Sequence, residues 1–255
     1  MISNTQSLEN DHVVIGMVLL EDTMGFDSQK LVRALQEDWQ LEVQSFEQDE
    51  NALVVALEEH NLVFGHIPSK VSTEEIELCA EIAYFWENVQ EDIERYQGHV
   101  VVSVLGNYGG KVKQYSILTK AIASVLHQTN ALGVYMHTQT LLLPKEVFLN
   151  EAKSLLENRL PLYNWVYFGL GRTEEKHFGY TFGLQEFGYP EFEVLDSGRS
   201  MEELTHFLYD LTYYVMQSNV ILEDGVSIGS CAEQTVKVEY SEGVRLEGKT
   251  LKLAY

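Results

Sequence analysis

Short β-type runs alternate with helix-type runs along most of this chain, and that alternation limits it to folds in which helices pack on sheets. Residues 12–20 (H-V-V-I-G-M-V-L-L) are continuously apolar, as in a strand covered on both faces. Asp27 is placed to cap a helix whose Leu31, Leu35 and Trp39 recur at spacing four. Residues 41–46 alternate apolar and polar, which predicts a half-exposed strand. Residues 52–57 and 62–67 flank Glu58-Glu59-His60-Asn61 as the arms of a hairpin. Ser72-Thr73-Glu74-Glu75 reads as a capping box for a helix running to about residue 86. A β-branched strand at 100–105 precedes a helix at 112–127 with Tyr115, Leu118, Ile122 and Val125 on one stripe. A short strand at 132–136 follows, then a helix with Pro144 in its first turn that ends near residue 157.

This order contains the β-α-β-β-α-β succession of a ferredoxin-like unit with one added strand. The expected class is α+β, with mixed, largely antiparallel sheets in two closely packed halves. Leu160-Pro161 marks a seam between 1–160 and 161–255, although no linker rich in Pro, Gly or Ser separates them, so one continuous domain stays open. Past the seam, strands are expected at 165–170, 177–182 and 192–195. Ser200-Met201-Glu202-Glu203 is a second capping box, opening a helix with Leu204, Phe207, Leu208, Leu211 and Val215 inward. The tail from residue 220 is β-rich, with turns at Asp224-Gly225, Glu242-Gly243 and Glu247-Gly248.

Apolar content of 45% over 255 residues supplies a core, and the 39 acids against 17 Lys and Arg leave a net charge of -22. Such a field repels nucleic-acid phosphates and anionic lipid, and it speeds encounter with a basic protein. Two cysteines, Cys79 and Cys231, make no disulfide framework, and Cys79 sits in an apolar helical pattern. Residues 1–11 lack the basic-then-apolar order of a signal peptide, and no run is long enough to span a bilayer. A cytoplasmic location follows as the expectation.

Candidate chemistry thins out under inspection. Gly106-Asn107-Tyr108-Gly109-Gly110-Lys111 follows a strand, but position 105 is leucine where a P-loop needs glycine, and Val112 follows the lysine. A glycine-rich strand-to-helix turn explains it better. Gly169-Leu170-Gly171 lacks the third glycine of a dinucleotide fingerprint, and a tight hairpin is expected there instead. The eight histidines form no i, i+4 pair or His/Cys cluster; His60 and His66 are expected on opposite strands of one hairpin with no third ligand. No cofactor and no metal is therefore expected. No Gly-x-Ser-x-Gly elbow occurs, and neither cysteine has an activating context. Glu186, Glu191 and Glu193 lie close together, as paired carboxylates for acid–base work would, yet in so acidic a chain such clusters arise by chance. Tyr213, Tyr214 and Phe207 suit packing on a helix rather than a cofactor box.

One stretch, 179–193, is shaped by backbone demands. Gly179-Tyr180-Thr181-Phe182-Gly183-Leu184 and Phe187-Gly188-Tyr189-Pro190-Glu191-Phe192-Glu193 precede the helix opened by Ser200-Met201-Glu202-Glu203. These motifs resemble the C-terminal signature of a bacterial family known as domain of unknown function 4261. Asp224-Gly225 with Ile228-Gly229, and Tyr240-Ser241-Glu242-Gly243, extend the resemblance, and Gly133-Val134-Tyr135 with Pro144 and Phe148 agrees more loosely. It covers roughly 130–255 and implies no catalytic residues. Gly183 and Gly188 are expected to take backbone angles closed to other residues, or with Gly179 to allow close approach of another segment. Pro190 is expected to fix the turn into the strand at Phe192, and Tyr180 and Thr181 to donate hydrogen bonds into a groove.

The leading expectation is a non-enzymatic module that binds a basic protein, as an immunity or antitoxin-type inhibitor does. The competing class is a small-ligand sensor or enzyme with its site between the halves, near His137, Tyr180, Thr181, Glu186 and Glu191. A third is a scaffold that self-associates through an exposed edge strand.

Overall fold

The structure is a computed structural model and describes residues 13–71, 73–229 and 235–255. Contacts divide the chain into two units, Met1–Asn164 and Trp165–Tyr255. Both combine helices with antiparallel or mixed sheet, which makes the class α+β.

The first unit begins with β1 (Val13–Leu20) and α1 (Ser28–Glu37), followed by β2 (Ser45–Gln48), β3 (Ala52–Ala56) and β4 (Asn61–Ile67). Helices α2 (Thr73–Glu81) and α3 (Val89–Arg95) lead to β5 (Gly98–Leu105), α4 (Gly110–Gln128), β6 (Ala131–Met136), β7 (Leu141–Pro144) and α5 (Lys145–Ala152). The seven strands lie in the order β2-β3-β4-β5-β1-β6-β7, every neighbouring pair antiparallel. β1 shows why its run is apolar throughout. Gly16 faces Ile122 of α4, so even positions point at that helix. On the opposite face Leu19 packs with Tyr135 and Leu142 under Ile76, Cys79, Trp86, Val89 and Ile93 of the α2–α3 region. The cover stops short of Ile15, which is 40% exposed, so the strand is sealed on both faces only toward its C-terminal end.

Local signals account for several elements. Asp27 caps α1 by accepting from the Lys30 N–H at 3.0 Å, and Leu31, Leu35 and Trp39 are buried as the spacing requires. Burial of each such side chain contributes about 2 kcal/mol. β3 and β4 form the expected hairpin. The glycine-rich turn before α4 holds Gly106, Gly109 and Gly110 at positive φ.

Other elements differ from expectation. The strand expected at 41–46 lies at β2, fully exposed at the sheet edge, where packing cannot fix its ends. The capping residue Ser72 lies outside the described residues, as do His12, the 1–11 segment and Cys231. α2 ends at Glu81 rather than near residue 86; turns follow, and α3 is a separate helix. β7 was not expected: Leu141 to Leu143 are too few to show a period. Pro144 ends that strand and stands at the N-cap of α5, whose helix gives way to 3-10 geometry over Lys153–Glu157.

The second unit contains β8 (Tyr167–Arg172), β9 (His177–Phe182), β10 (Phe192–Ser197), α6 (Met201–Ser218), β11 (Ser227–Ile228), β12 (Val236–Glu242) and β13 (Lys249–Leu253). Its sheet runs β11-β12-β13-β10-β9-β8, with β10 and β13 parallel. The Ser200 hydroxyl accepts from the Glu203 N–H, and the Glu203 carboxylate accepts from the Ser200 N–H at 2.9 Å, completing the capping box. Leu204, Leu208, Leu211 and Val215 are buried; Phe207 is half-buried and stacks on Tyr255 at 3.8 Å. Tyr213 stacks on Tyr209, while Tyr214 is exposed. β8 and β9 form the expected hairpin, but Gly169 and Gly171 are in its first strand rather than at its turn. They lie in β8 opposite Tyr180 and Phe178, and a Cβ at either would meet the facing ring at 2.2 Å.

Candidate functional site

In the first unit a cavity of about 630 Å³ opens where the β1–α1 loop, the β2–β3 turn, β4 and the end of α4 meet. Its charged lining is Asp27, Asp49 and Glu50; Gln48, Asn51 and Gln128 add amides. The Asp27 N–H donates to Gln128 at 3.1 Å, which ties the loop to α4. Gly25 lies against the His66 ring, whose Nε2 is buried without a hydrogen-bond partner at the cavity wall. His60 sits in the turn before β4 rather than on the strand opposite His66. Among the described residues, no ion pair engages Asp49 or Glu50, nor Glu47 on the neighbouring strand. Residues 34–69 contain eight acids and not one Lys or Arg, so no cation is available nearby in sequence to compensate them.

His137 also belongs to the first unit. It follows β6 at the start of a short 3-10 turn, is exposed, and shares a 2.9 Å hydrogen bond with the Tyr135 hydroxyl. Glu75 stands 3.7 Å from its Nδ1. Burial raises the Tyr135 pKa, with Cys79 and Glu75 adding to the shift. Burial likewise raises the Cys79 thiol, outweighing its hydrogen bond with Tyr135, so the thiol stays protonated and unreactive.

The other sequence-nominated residues are in the second unit, around β9 and the turn that follows it. Thr181 is fully buried: its hydroxyl donates to Glu191 at 2.8 Å and accepts from the Phe192 N–H at 2.8 Å. Tyr180 points the other way, across Gly169. Gly183 at φ 114° and Gly188 at φ 83° bracket a 3-10 turn, Leu184–Phe187. Glu191 receives the N–H groups of Gly183 at 2.8 Å and Gln185 at 3.2 Å, and so closes that turn from inside. Burial raises its pKa against the pull of these donors. Glu186 is half-buried on the turn itself, and Pro190 precedes the buried Glu191 at the entry to β10. Gly179 lets α6 approach, since a Cβ there would meet Leu208 at 2.8 Å.

Glu193, two residues on, is fully buried and accepts from the Val244, Arg245 and Leu246 N–H groups, the Thr250 hydroxyl and Lys252. Burial pushes its pKa up, but these donors outweigh that and hold it below the usual carboxylate range. The three glutamates thus occupy separate environments and do not form a carboxylate pair.

Residues 180–254 match the family model for a domain of unknown function, DUF4261. The DUF4261 segment starts inside β9 and takes in β10, α6 and β11 to β13; the looser motif at Gly133, Pro144 and Phe148 lies outside it. No curated protein and no solved structure matches the chain. A groove of about 550 Å³ runs along β10, β13 and β12, where both signs of charge are present: Glu193, Asp196 and Glu239 with Lys237 and Lys252, the last of these paired with Glu193 at 3.0 Å. Among the described residues, no group of three His, Cys, Asp or Glu is placed to hold a metal. No helix among them is long and apolar enough to cross a membrane.

Sequence reasoning directed attention to 179–193 and passed over the cavity. Its acids come from the β1–α1 loop and the β2–β3 turn, and no motif joins them. The signal that would have found Asp49 and Glu50 is the stretch from 34 to 69 without a basic residue.

Proposed function

We propose that this protein is a non-enzymatic, acidic binding module of the bacterial cytoplasm whose partner is a basic protein, in the manner of an immunity or antitoxin-type inhibitor. The observation that carries the reading is the first unit's cavity, whose Asp27, Asp49 and Glu50 face no lysine or arginine among its lining residues. Carboxylates left without cations in a concave site favour a cationic group, and a net charge of -22 steers such a partner from a distance. Glu191 and Glu193 accept their hydrogen bonds from within the chain, which supports a structural role for those carboxylates.

Affinity capture from lysate of the native host at low and high salt, with mass spectrometry of the eluate, tests the reading. A basic protein retained at low salt and weakened at high salt is the expected result. A partner held equally well at both salts removes the electrostatic basis. A small cationic ligand is the second reading, favoured by a cavity of about 630 Å³, which is the size of a small-molecule site. A rise in melting temperature with free arginine or a polyamine, and no captured protein, would favour it.

A further inference from the structure

We propose that the partner docks through an extended basic segment that adds as a strand to the free edge of β2 and places one of its cations in the adjoining cavity. This deepens the binding reading above and rests on it.

The edge supplies the backbone half of the site. β2 is the first strand of the seven-stranded sheet and, among the described residues, pairs only with β3. The Asp49 N–H donates to the Ala52 carbonyl at 2.8 Å, so Asp49 faces β3. Antiparallel alternation then turns the N–H and C=O groups of Phe46 and Gln48 outward, away from any strand. All four β2 residues are exposed, and an extended peptide satisfies such groups in a way that a helix or a globular face does not.

Side chains supply the other half. Gln48 pairs in register with Leu53 and thence Phe64, so it lies on the face that lines the cavity, and Phe46 lies on the same face. A strand added along β2 places alternate side chains on that face, one beside Phe46, which is 44% exposed, and one beside Gln48 at the cavity mouth. Beyond Gln48 stand Asp49 and Glu50 in the turn; Glu47 marks the opposite face. A residue with an apolar stem and a cationic head, Arg or Lys, fits beside Gln48, and an apolar residue fits beside Phe46.

The charge also decides the occupant against a second copy of this chain. Antiparallel self-pairing would bring Glu47, Asp49 and Glu50 of two copies together, like charges facing like, whereas a basic strand reverses the sign of every such contact.

The test uses the full chain and a fluorescent Arg–Val peptide of about ten residues built on the repeat Arg-Arg-Val-Val, so that each face of the strand alternates cation and apolar residue, with an Arg–Pro peptide (Arg-Arg-Pro-Pro repeat) of equal charge as the control. Anisotropy at low salt should show binding of the Arg–Val peptide, weakened about tenfold in the combined Glu47→Gln, Asp49→Asn, Glu50→Gln variant. Hydrogen exchange should slow at the Phe46 and Gln48 amides when that peptide is present. The Arg–Pro peptide, which keeps the charge and loses half the donors, should bind much more weakly. Equal binding of both peptides overturns strand addition. Undiminished binding to the triple variant overturns this site while leaving the basic-partner reading intact, and no binding of the Arg–Val peptide overturns the docking mode. Failure of the lysate capture, by contrast, strikes the basic-partner reading itself.

Discussion

In the second unit Glu191 and Glu193 are turned inward and meet hydrogen-bond donors, Glu191 from the turn just before it and Glu193 from the far end of the chain. In the first unit Glu47, Asp49 and Glu50 stand exposed, with no ion-pair partner among the described residues. The two sets are similar in sequence, glutamates and aspartates within a few residues of one another near β-strands. Their energetics are opposite. A buried carboxylate persists only where donors replace its water, so Glu191 and Glu193 act as internal staples for the turns at 183–188 and 243–248. An exposed acid contributes little to folding and remains free for a partner.

The largest expected effect that would break this contrast comes from Glu193→Ala. It strips an acceptor from three N–H groups and from Lys252, and should cost about 3–5 kcal/mol in urea unfolding. A loss near zero would mean that the 243–248 turn does not depend on its staple. Glu191→Ala should cost somewhat less, about 2–3 kcal/mol, because it orphans two N–H groups and one hydroxyl with no cation involved. Gly169→Ala should cost about 1–3 kcal/mol by driving a methyl into the Tyr180 ring.

Proton linkage sharpens the comparison within the second unit. Glu193 has its folded pKa lowered, so its contribution is present above 4.5 and is lost as pH falls through the folded value. Glu191 has its folded pKa raised, so its protonation supports folding below 4.5, and that support is lost as pH rises through the folded value. Unfolding curves across this range should therefore diverge in opposite senses from those of Glu193→Gln and Glu191→Gln. At the far end of the scale, the combined Glu47→Gln, Asp49→Asn, Glu50→Gln variant should leave the melting temperature unchanged. A marked fall would place those acids among the staples and remove the contrast.

His60 offers a smaller test in the first unit. Burial, with Lys113 adding to it, lowers its pKa from 6.5, so the unfolded chain binds the proton more readily. Stability should decline as pH falls below 6.5 toward the folded value, and His60→Asn should flatten that slope in thermal melts.

What the sequence determined by itself is the set of features whose partners lie a few residues apart. The Asp27 cap joins residues three apart, the Ser200–Glu203 box closes within one turn, and β3 with β4 meet across a short connection. Steric and hydrogen-bonding preferences at that range survive in any context, so they are readable without a fold. The positive φ of Gly183 and Gly188 belongs to the same class. Tertiary structure alone decided the rest. Glu193 meets its donors more than fifty residues away, Gly169 and Gly171 serve rings across a strand pair rather than a turn, and β2 lies where an edge rather than a core ends it. The cavity draws on a loop, a turn, a strand and a helix end, and no local preference encodes which of their acids will stay in water. That choice depends on which surfaces the packed sheet leaves uncovered, and it is made by the sum of long-range contacts.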